Sequence, residues 1–323
     1  MLRKTFCLLA TAAVLLTTPA SAADDVSVRL PWVFGGNTIA WFIGIERGYF
    51  AAEGINLTVN EGKGSVVAAQ LVANKSDQFG MTDGVSLILT ASKGAPIKSV
   101  MSIRSSSAYA VIVLKDSGIK TIKDIEGRSL AITPGDALTQ QWPLVVKTNN
   151  LDVSKIKLTY MDAAAKSVML MAKKVDAMLG NFSDQGVLIR EKGFDAQWLK
   201  FSDFGVDTVS MVLIAHEETI KNNPDLVRRF VRAASRTWAA YKQDPTAAVD
   251  AALKYRPELN RKLVMAQAIS TIEVMDSRNT KGKTVGWSSD KDWEGTVNQM
   301  KELGQLKSDK PASAYYTNEF MPK

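Results

Sequence analysis

The stretch that decides the fold begins Leu30-Pro31-Trp32-Val33-Phe34-Gly35-Gly36-Asn37-Thr38 and continues through Gly48-Tyr49-Phe50, Gly54-Ile55-Asn56-Leu57, Gly62-Lys63-Gly64-Ser65 and Gly80-Met81-Thr82-Asp83. Each segment has the pattern of a strand end, a loop and a helix start. In open α/β sheets, small ligands bind at such strand-to-helix turns. The stretch therefore predicts one side of a ligand-binding site.

Strand and helix signals alternate through the first third of the chain. Asn37 or Thr38 is expected to cap a first helix, and Ser65 to begin the next. The order β-α-β-α-β is typical of a mostly parallel sheet with right-handed crossovers. The spacing of apolar and polar residues places the strands at 26–32, 55–59 and 77–81.

The middle of the chain repeats this alternation. Ser105-Ser106-Ser107 follows a strand-like run at 97–103, and we expect the chain to cross into a second lobe there. Further strands are predicted at 109–114, 130–132, 156–160 and 177–180.

The C-terminal third is mainly helical. The buried-strand run Val209–Ala215 precedes an amphipathic helix that starts at Pro224, and further helices are expected near 246–255, 261–274 and 291–303. We expect the chain to return to the first lobe near 204–210. The prediction is an α/β fold of two lobes with two crossing segments, in which lobe 1 comprises 23–107 and 206–323 and lobe 2 comprises 108–205.

The N-terminus has the features of an export signal. Arg3 and Lys4 precede an apolar run over 6–16, which closes on Ala20-Ser21-Ala22. A basic end, a short apolar core and a small-residue cleavage site characterise a secretory signal peptide. We therefore expect residues 1–22 to be removed after about Ala22 and the mature protein to reside in the periplasm.

Composition excludes several classes of function. Cys7, the only cysteine, lies in the signal segment, so the mature chain has no thiol for catalysis or metal binding. The formal net charge of +7 falls to +5 when Arg3 and Lys4 are removed. The basic residues are scattered in short groups, which disfavours nucleic-acid binding.

An ordered set of motifs resembles one family. Gly48-Tyr49-Phe50, followed by Glu53-Gly54-Ile55, resembles the "KGYFxxEGL" segment of NMT1/THI5-like substrate-binding proteins of ABC importers, which include pyrimidine, taurine, sulfonate and nitrate binders. Matching motifs follow in order at 62–65, 79–83, 93–97, 122–128, 174–177 and 316–320.

The resemblance implies a type II periplasmic binding protein fold. Proteins of this kind close two lobes around a ligand like a hinge and deliver it to a permease in the inner membrane. We expect a monomer without a cofactor or a metal site.

The chain departs from the family pattern at two places. Lys173 stands where the family usually has glycine before Lys-Val-Asp-Ala. The pyrimidine binders carry a Pro-Asn-rich segment and a histidine after the first tryptophan, where this chain has Val33-Phe34-Gly35-Gly36-Asn37. The second departure disfavours a pyrimidine as the ligand.

Polar and aromatic residues at the predicted strand ends form the candidate binding site. An aromatic residue can stack on a flat ligand, and the amides after Gly64 can bind an anion at a helix N-terminus. In lobe 1 the candidates are Trp32, Phe34, Asn37, Thr38, Trp41, Lys63, Gly64, Ser65, Asp83 and Ser106, and in lobe 2 they are Thr133, Asp136, Asn181 and Asp184.

Each candidate also has a purely structural interpretation. Phe34 and Trp41 can belong to the hydrophobic core, and Ser65 and Asp83 can simply cap helices. Lys63 can be a solvated surface charge. Lobe 2 candidates can be ordinary turn residues, so the hypothesis depends on the whole set.

Three functions are compatible with the sequence. The first is a carrier for a small ligand. Lys63 and Arg104, which lies at the end of its strand, favour an anionic or carbonyl-rich solute, and Trp32 and Phe34 favour an aromatic or heterocyclic one. The second is an enzyme similar to the fungal pyrimidine-precursor synthases of the same fold, although this chain lacks their cluster of histidine and cysteine residues. The third is the ligand-sensing module of a receptor. His216 is the only histidine, and we expect it to be structural.

Overall fold

The structure is a computed structural model that describes residues 22–323. The predicted signal peptide therefore lies outside the described residues except for its last residue. Within 22–323, no helix is both long enough and apolar enough to cross a membrane.

The strands of the described residues form two five-stranded sheets. In chain order they are β1 (Asp24–Arg29), β2 (Ile55–Asn60), β3 (Phe79–Asp83), β4 (Ile97–Ser102), β5 (Tyr109–Leu114), β6 (Ser129–Ile132), β7 (Lys157–Tyr160), β8 (Ala177–Asn181), β9 (Ala196–Lys200) and β10 (Met211–His216).

Helices cover the sheets and make up most of the C-terminal third. They are α1 (Ala40–Glu46), α2 (Ser65–Ala73), α3 (Gly84–Ser92), α4 (Ala137–Thr148), α5 (Ala163–Met171), α6 (Val187–Glu191), α7 (Glu217–Asn222), α8 (Pro224–Gln243), α9 (Pro245–Tyr255), α10 (Arg261–Ile272) and α11 (Asp290–Glu302). A π-helical turn, Phe182–Gly186, precedes α6.

The two sheets have the same plan. The first has the order β2-β1-β3-β10-β4 and the second the order β7-β6-β8-β5-β9. In the first sheet β10 runs antiparallel to β3 and β4, and in the second β5 runs antiparallel to β8 and β9. β5 is the strand with which the chain enters the second sheet, and β10 is the strand with which it returns to the first sheet.

The predicted boundaries of the two lobes remain a proposal. They assign the first sheet to lobe 1 and the second sheet to lobe 2, and the lobes are named in this sense below. Two crossing segments, 103–108 and 201–210, connect the sheets. The segments are joined at Met211, whose carbonyl accepts hydrogen bonds from the amides of Ile103 and Arg104 at 2.8 and 3.0 Å.

Most predicted elements are present, but β9 and the short helices α6 and α7 were not predicted, and the first helix begins later than expected. The strand β9 was not predicted because Ala-Gln-Trp-Leu-Lys is short and mostly half-buried, so its sequence lacks a clear alternation. The first helix begins at Ala40, with Ile39 as its N-cap, so Asn37 and Thr38 lie in the preceding turns rather than at the cap.

Helix α8 forms the core of lobe 1 with α1 and the first sheet. Phe230 of α8 stacks on Phe79 of β3, with the ring centroids 3.9 Å apart and the planes 7° from parallel. Trp41 of α1 lies beside Phe230 and Trp238, with centroid distances of 5.9 and 6.1 Å. Helix α8 of the C-terminal third therefore packs on the first sheet.

The loop after β1 packs tightly against α10. A Cβ atom added at Gly36 would lie 2.4 Å from the amide nitrogen of Ala268 and 2.5 Å from the carbonyl oxygen of Val264. Backbone atoms cannot move away cheaply, so glycine is required at this contact.

Substitution of Gly36 tests this packing. We expect Gly36→Ala to lower the free energy of unfolding by about 2 kcal/mol or more, because the methyl group overpacks the contact. Gly295→Ala is the matched control, since a Cβ in this part of α11 would meet no described atom within 4 Å. It should stabilise the protein by roughly 0.5–1 kcal/mol through helix propensity. Urea unfolding of both variants measures the difference, and equal midpoints would contradict the packing argument.

Candidate ligand-binding cavity

A cavity lies between the two lobes at the crossing segments. Its empty volume is about 520 Å³, including the space at its mouth that is open to solvent. Seven of the predicted site residues line it, namely Trp32, Asn37, Gly64, Ser65, Asp136, Asn181 and Asp184.

Arg104 contributes a buried positive charge to the cavity. Its side chain is 1% exposed, and within residues 22–323 its Nε and Nη1 atoms have no hydrogen-bond partner. Burial lowers the pKa of the guanidinium, but an arginine remains protonated in proteins. A buried charge without such partners is costly, so this group favours an acceptor or an anion in the cavity.

The first turn of α2 offers hydrogen-bond donors on the lobe 1 side. The N-cap is Gly64, and in the described chain no side chain caps this helix end. The first amides of a helix have no intrahelical partners and carry partial positive charge. The amides at Ser65 and beyond are therefore suited to the same anionic or carbonyl group as Arg104.

Gly64 also lies where the two lobes meet. Its φ is 124°, in the region that favours glycine, and an added Cβ would lie 2.8 Å from the carbonyl oxygen of Gly135 in lobe 2. A larger residue at this position would hold the lobes apart. Glycine is therefore needed at position 64 both for the backbone conformation and for the close approach of the two lobes.

An ion pair forms part of the lobe 2 wall. Lys166 of α5 lies with its Nζ 3.0 Å from Oδ2 of Asp136, and both residues are buried. Asp136 also caps α4 by accepting a hydrogen bond from the amide of Thr139. Burial lowers the pKa of Lys166, and the Asp136 carboxylate opposes that shift. The pair largely neutralises its own charge, and Arg104 and Asp184 are the other charged residues of the cavity wall.

Asp184 and Asn181 complete the lobe 2 wall. Oδ1 of Asp184 accepts a hydrogen bond from Nε2 of Gln267 in α10 at 2.6 Å, which ties lobe 2 to the C-terminal helices. Burial raises the pKa of Asp184 to about 6, and the charge of Arg104 opposes this shift. Oδ1 of Asn181 accepts from Ser183, so its amide nitrogen is the group that it can offer to a ligand.

The predicted aromatic residues Trp41 and Phe34 lie outside this cavity. Trp41 is fully buried in the lobe 1 core and places its Nε1 3.2 Å from the sulfur of Met81. Phe34 packs on Phe42, with ring centroids 5.1 Å apart. Trp41 is therefore corrected to a core residue, whereas Phe34 lines a neighbouring space between the lobes instead of this cavity. Trp32 is the predicted aromatic residue that lines the cavity.

Two further lobe 1 candidates do not reach the cavity. The hydroxyl of Thr38 donates within its own turn, to the carbonyl oxygens of Val33 and Gly35. The side chain of Lys63 is exposed and is not part of the cavity wall. Thr38 therefore has a structural role, and the charge at this end of the cavity comes from Arg104 instead of Lys63.

Ser106, Thr133 and Asp83 are also corrected. The hydroxyl of Ser106 donates to the carbonyl of Asp276, and that of Thr133 donates to the carbonyl of Met161. Asp83 is fully buried and caps α3. These residues hold backbone in place near the cavity but do not line it.

Several cavity residues were absent from the predicted site. They are Pro31, Arg104, Tyr109, Ala137, Leu138, Ala163, Lys166, Gln185 and Met211. Arg104 was not among the predicted site residues, although its position at the end of a strand had already favoured an anionic ligand. Lys166 has a recognisable signal, because it occupies an inward position of α5 between the buried residues Ala163 and Leu170.

Asp83 forms a buried polar link between the lobes. Its Oδ2 accepts a hydrogen bond from Nε2 of Gln141 in α4 at 2.9 Å, and Oε1 of Gln141 accepts from Thr208 in a crossing segment at 3.0 Å. Burial raises the pKa of the Asp83 carboxyl from 3.8 to about 7, although the hydrogen bonds that it accepts oppose the shift.

The protonation of Asp83 should make stability depend on pH. Between about pH 4 and 7 the folded state binds a proton at Asp83 that the unfolded state does not, so stability falls as pH rises through this window. In Asp83→Asn this contribution is lost. We expect the free energy of unfolding of the wild type to fall by a few kcal/mol more than that of the variant between pH 4 and 7.

Urea unfolding across this pH range measures the effect. Asp184 titrates in both proteins, so its contribution cancels in the comparison. An asparagine can still accept the capping hydrogen bonds of α3. Parallel pH profiles for the two proteins would show that Asp83 does not titrate in this window.

Comparison with known proteins identifies the family. The profile of the NMT1/THI5 like family matches residues 36–248. The chain belongs to this family. Lys173, which departs from the family pattern, has a φ of 54°, a conformation that glycine adopts more readily.

Relatives of the NMT1/THI5-like protein include both binding proteins and enzymes. The riboflavin-binding protein RibY of Chloroflexus aurantiacus is 23% identical over 305 residues, which cover 93% of this chain and 86% of RibY. A 4-amino-5-hydroxymethyl-2-methylpyrimidine phosphate synthase of Saccharomyces cerevisiae is 23% identical over 318 residues, which cover 93% of this chain and 88% of the synthase.

Solved structures show the same fold. The periplasmic aliphatic sulphonate binding protein SsuA of Escherichia coli superposes with a TM-score of 0.70 at 14% identity, covering 90% of this chain and 97% of SsuA. The predicted fold class, a periplasmic binding protein fold of two α/β lobes with two crossing segments, is confirmed.

Proposed function

We propose that this NMT1/THI5-like protein is the extracytoplasmic solute-binding component of an ABC importer. It closes its two lobes around a small organic ligand with an anionic or carbonyl group and an aromatic or heterocyclic part. The observation that carries this proposal is the buried Arg104 guanidinium in the cavity, whose Nε and Nη1 lack hydrogen-bond partners in the described chain.

Contacts between the lobes support a closing motion. Lys262 of α10 forms an ion pair with Glu191 of α6 at 2.8 Å, and Gln267 binds Asp184. Asp184 lines the cavity, so we propose that these contacts hold the lobes together in the closed form. A ligand enters when they separate, and the crossing segments at 103–108 and 201–210 are the hinge.

Ligand binding tests the proposal directly. A thermal-shift screen with small organic acids, sulfonates and heterocycles should find at least one compound that stabilises the protein. Arg104→Gln should weaken the binding of that compound about 10- to 100-fold, because a charged hydrogen bond is lost in a buried site. Isothermal titration calorimetry measures the affinities.

The control for this experiment is Arg128→Gln. Arg128 is an exposed arginine that precedes β6 and is not part of the cavity wall. Its substitution should leave the affinity within about twofold of the wild type. Equal affinity of the Arg104 variant and the wild type would contradict the proposed site, and the lack of any stabilising compound would contradict the proposed function.

We propose binding without catalysis, although the yeast relative is named as a synthase. Met211 at the start of β10 lines the cavity, whereas His216 lies at the other end of this strand. Nδ1 of His216 caps α7 by accepting a hydrogen bond from the amide of Glu218. The single histidine is therefore remote from the cavity. Mass spectrometry of a ligand kept with the protein for hours should show it unchanged, and conversion would revive the synthase hypothesis.

The cellular role follows from the proposed export. The mature protein is proposed to act as a monomer in the periplasm and to deliver its ligand to an inner-membrane permease. Neighbouring genes for a permease and an ATPase would support this role. A neighbouring sensor kinase gene would instead favour the ligand-sensing module of a receptor.

A further inference from the structure

We propose that closure of the two lobes takes up a proton at Asp83. Asp83 is the last residue of β3 in lobe 1, and its side chain is fully buried. Gln141 of α4 and Tyr109 of β5, which interact with it, belong to lobe 2. The inference rests on the closing motion of the proposed function and adds a control of that motion by pH.

The two oxygens of the Asp83 carboxyl group have partners in different lobes. Oδ1 accepts hydrogen bonds from the amides of Val85 and Ser86 in α3, at 3.0 and 3.2 Å, and these contacts lie within lobe 1. Oδ2 accepts from Nε2 of Gln141 in lobe 2, at 2.9 Å. When the lobes separate, Oδ2 loses this donor and meets water, whereas Oδ1 keeps its contacts. Closure therefore changes the surroundings of Oδ2.

Gln141 can form hydrogen bonds with either protonation state of Asp83. In the structure, Nε2 of Gln141 donates to Asp83, and Oε1 accepts from the hydroxyl of Thr208 at 3.0 Å. A glutamine amide has a donor end and an acceptor end, and a half-turn exchanges them. After this half-turn, a protonated Asp83 donates to Oε1, and Nε2 donates to the hydroxyl of Thr208. Protonation therefore leaves no group of this buried chain without a partner.

The closed surroundings favour the protonated form of Asp83. Burial raises its pKa to about 7, although the hydrogen bonds that it accepts oppose the shift. With the lobes apart, the carboxyl group faces water and its pKa lies nearer the ordinary value of 3.8. A group whose pKa is higher in the closed form stabilises that form at low pH. This stabilisation is lost as the pH rises through about 7.

The charged and titratable neighbours of Asp83 do not replace it as the proton acceptor. Arg104 of the first crossing segment interacts with Asp83 and Tyr109, and it remains protonated. The phenol of Tyr109 also keeps its proton, because burial raises its pKa well above the ordinary value. Asp136 at the start of α4 acts on Tyr109 and is paired with Lys166.

A distance between the lobes, measured at different pH values, tests the inference. The chain from residue 23 onward contains no cysteine, so Lys192→Cys in lobe 2 and Lys221→Cys in lobe 1 place nitroxide labels at two exposed positions. Double electron–electron resonance then measures the distance without added ligand. The ratio of closed to open molecules should rise about tenfold or more between pH 8 and pH 5.

Two variants assign this response to Asp83. In the labelled Asp83→Asn protein the ratio should change by less than about twofold, because the amide does not titrate. Asp244→Asn is the matched control, since Asp244 also caps a helix, α9, but its side chain is 47% exposed. It should keep the wild-type response. Burial also raises the pKa of Asp184 and Asp207, and both residues are present in every protein compared.

Gln141→Met provides a second variant that does not alter Asp83. Without the amide, a buried carboxylate loses its donor from lobe 2, which costs more than the same loss for a neutral carboxyl group. The closed form should therefore be disfavoured more at pH 8 than at pH 5, and the response should exceed that of the wild type. Equal loss of closure at both pH values would show a structural role alone. Thermal unfolding checks that each variant is folded.

The outcomes separate the inference from the proposed function. If a compound from the thermal-shift screen binds but the distance does not change with pH, proton uptake on closure is overturned and the carrier function stands. A response that persists in Asp83→Asn also overturns the inference, because another group then takes up the proton. If the distance responds through Asp83 but no compound binds, the inference is supported and the carrier function is contradicted.

Discussion

A positive charge buried at the junction of two lobes is the constraint on which the cavity depends. The guanidinium of Arg104 is surrounded by protein, yet its Nε and Nη1 atoms have no hydrogen-bond partner within the described chain. Burying charged donors without acceptors is costly. Under the proposed function, an anionic ligand supplies these acceptors when the lobes close. Ligand binding and closure of the lobes are then coupled through Arg104.

The position of Arg104 makes this coupling direct. Its backbone amide binds the carbonyl of Met211, so the charge lies where the two crossing segments join. The N-termini of the two helices nearest to the cavity, α2 and α4, are capped differently. In lobe 2 the side chain of Asp136 caps α4, but in lobe 1 Gly64 has no side chain and leaves the first amides of α2 available. The first turn of α2 therefore offers amide donors to the cavity on the lobe 1 side.

The fold was largely predictable from the sequence, because strand and helix periodicities are local signals. The buried run that became β10 and the amphipathic face of α8 are clear in the sequence. The site was predictable only in part. Gly64, Ser65 and Asp136 were found because a strand-to-helix turn has a recognisable pattern.

The remaining residues of the candidate site could not be predicted, because a sequence does not specify which way each side chain points. Trp32 and Trp41 are both aromatic residues near the same turn, yet one lines the cavity and the other fills the core. Lys63 and Lys166 are both lysines near strand ends, and here the exposed one was predicted and the buried one was missed. The orientation of a side chain follows from tertiary packing, which overrides local pattern.

The antiparallel strand β10 has a consequence for the order in which the lobes can form. It lies between β3 and β4, so the first sheet is incomplete until the chain has been synthesised through His216. The second sheet needs only residues 109–200 and is contiguous in the chain. The lobe that starts the polypeptide is therefore the one that is completed last. Until β10 is available, β3 and β4 each lack the partner strand that lies between them, which is more than a hundred residues later in the chain.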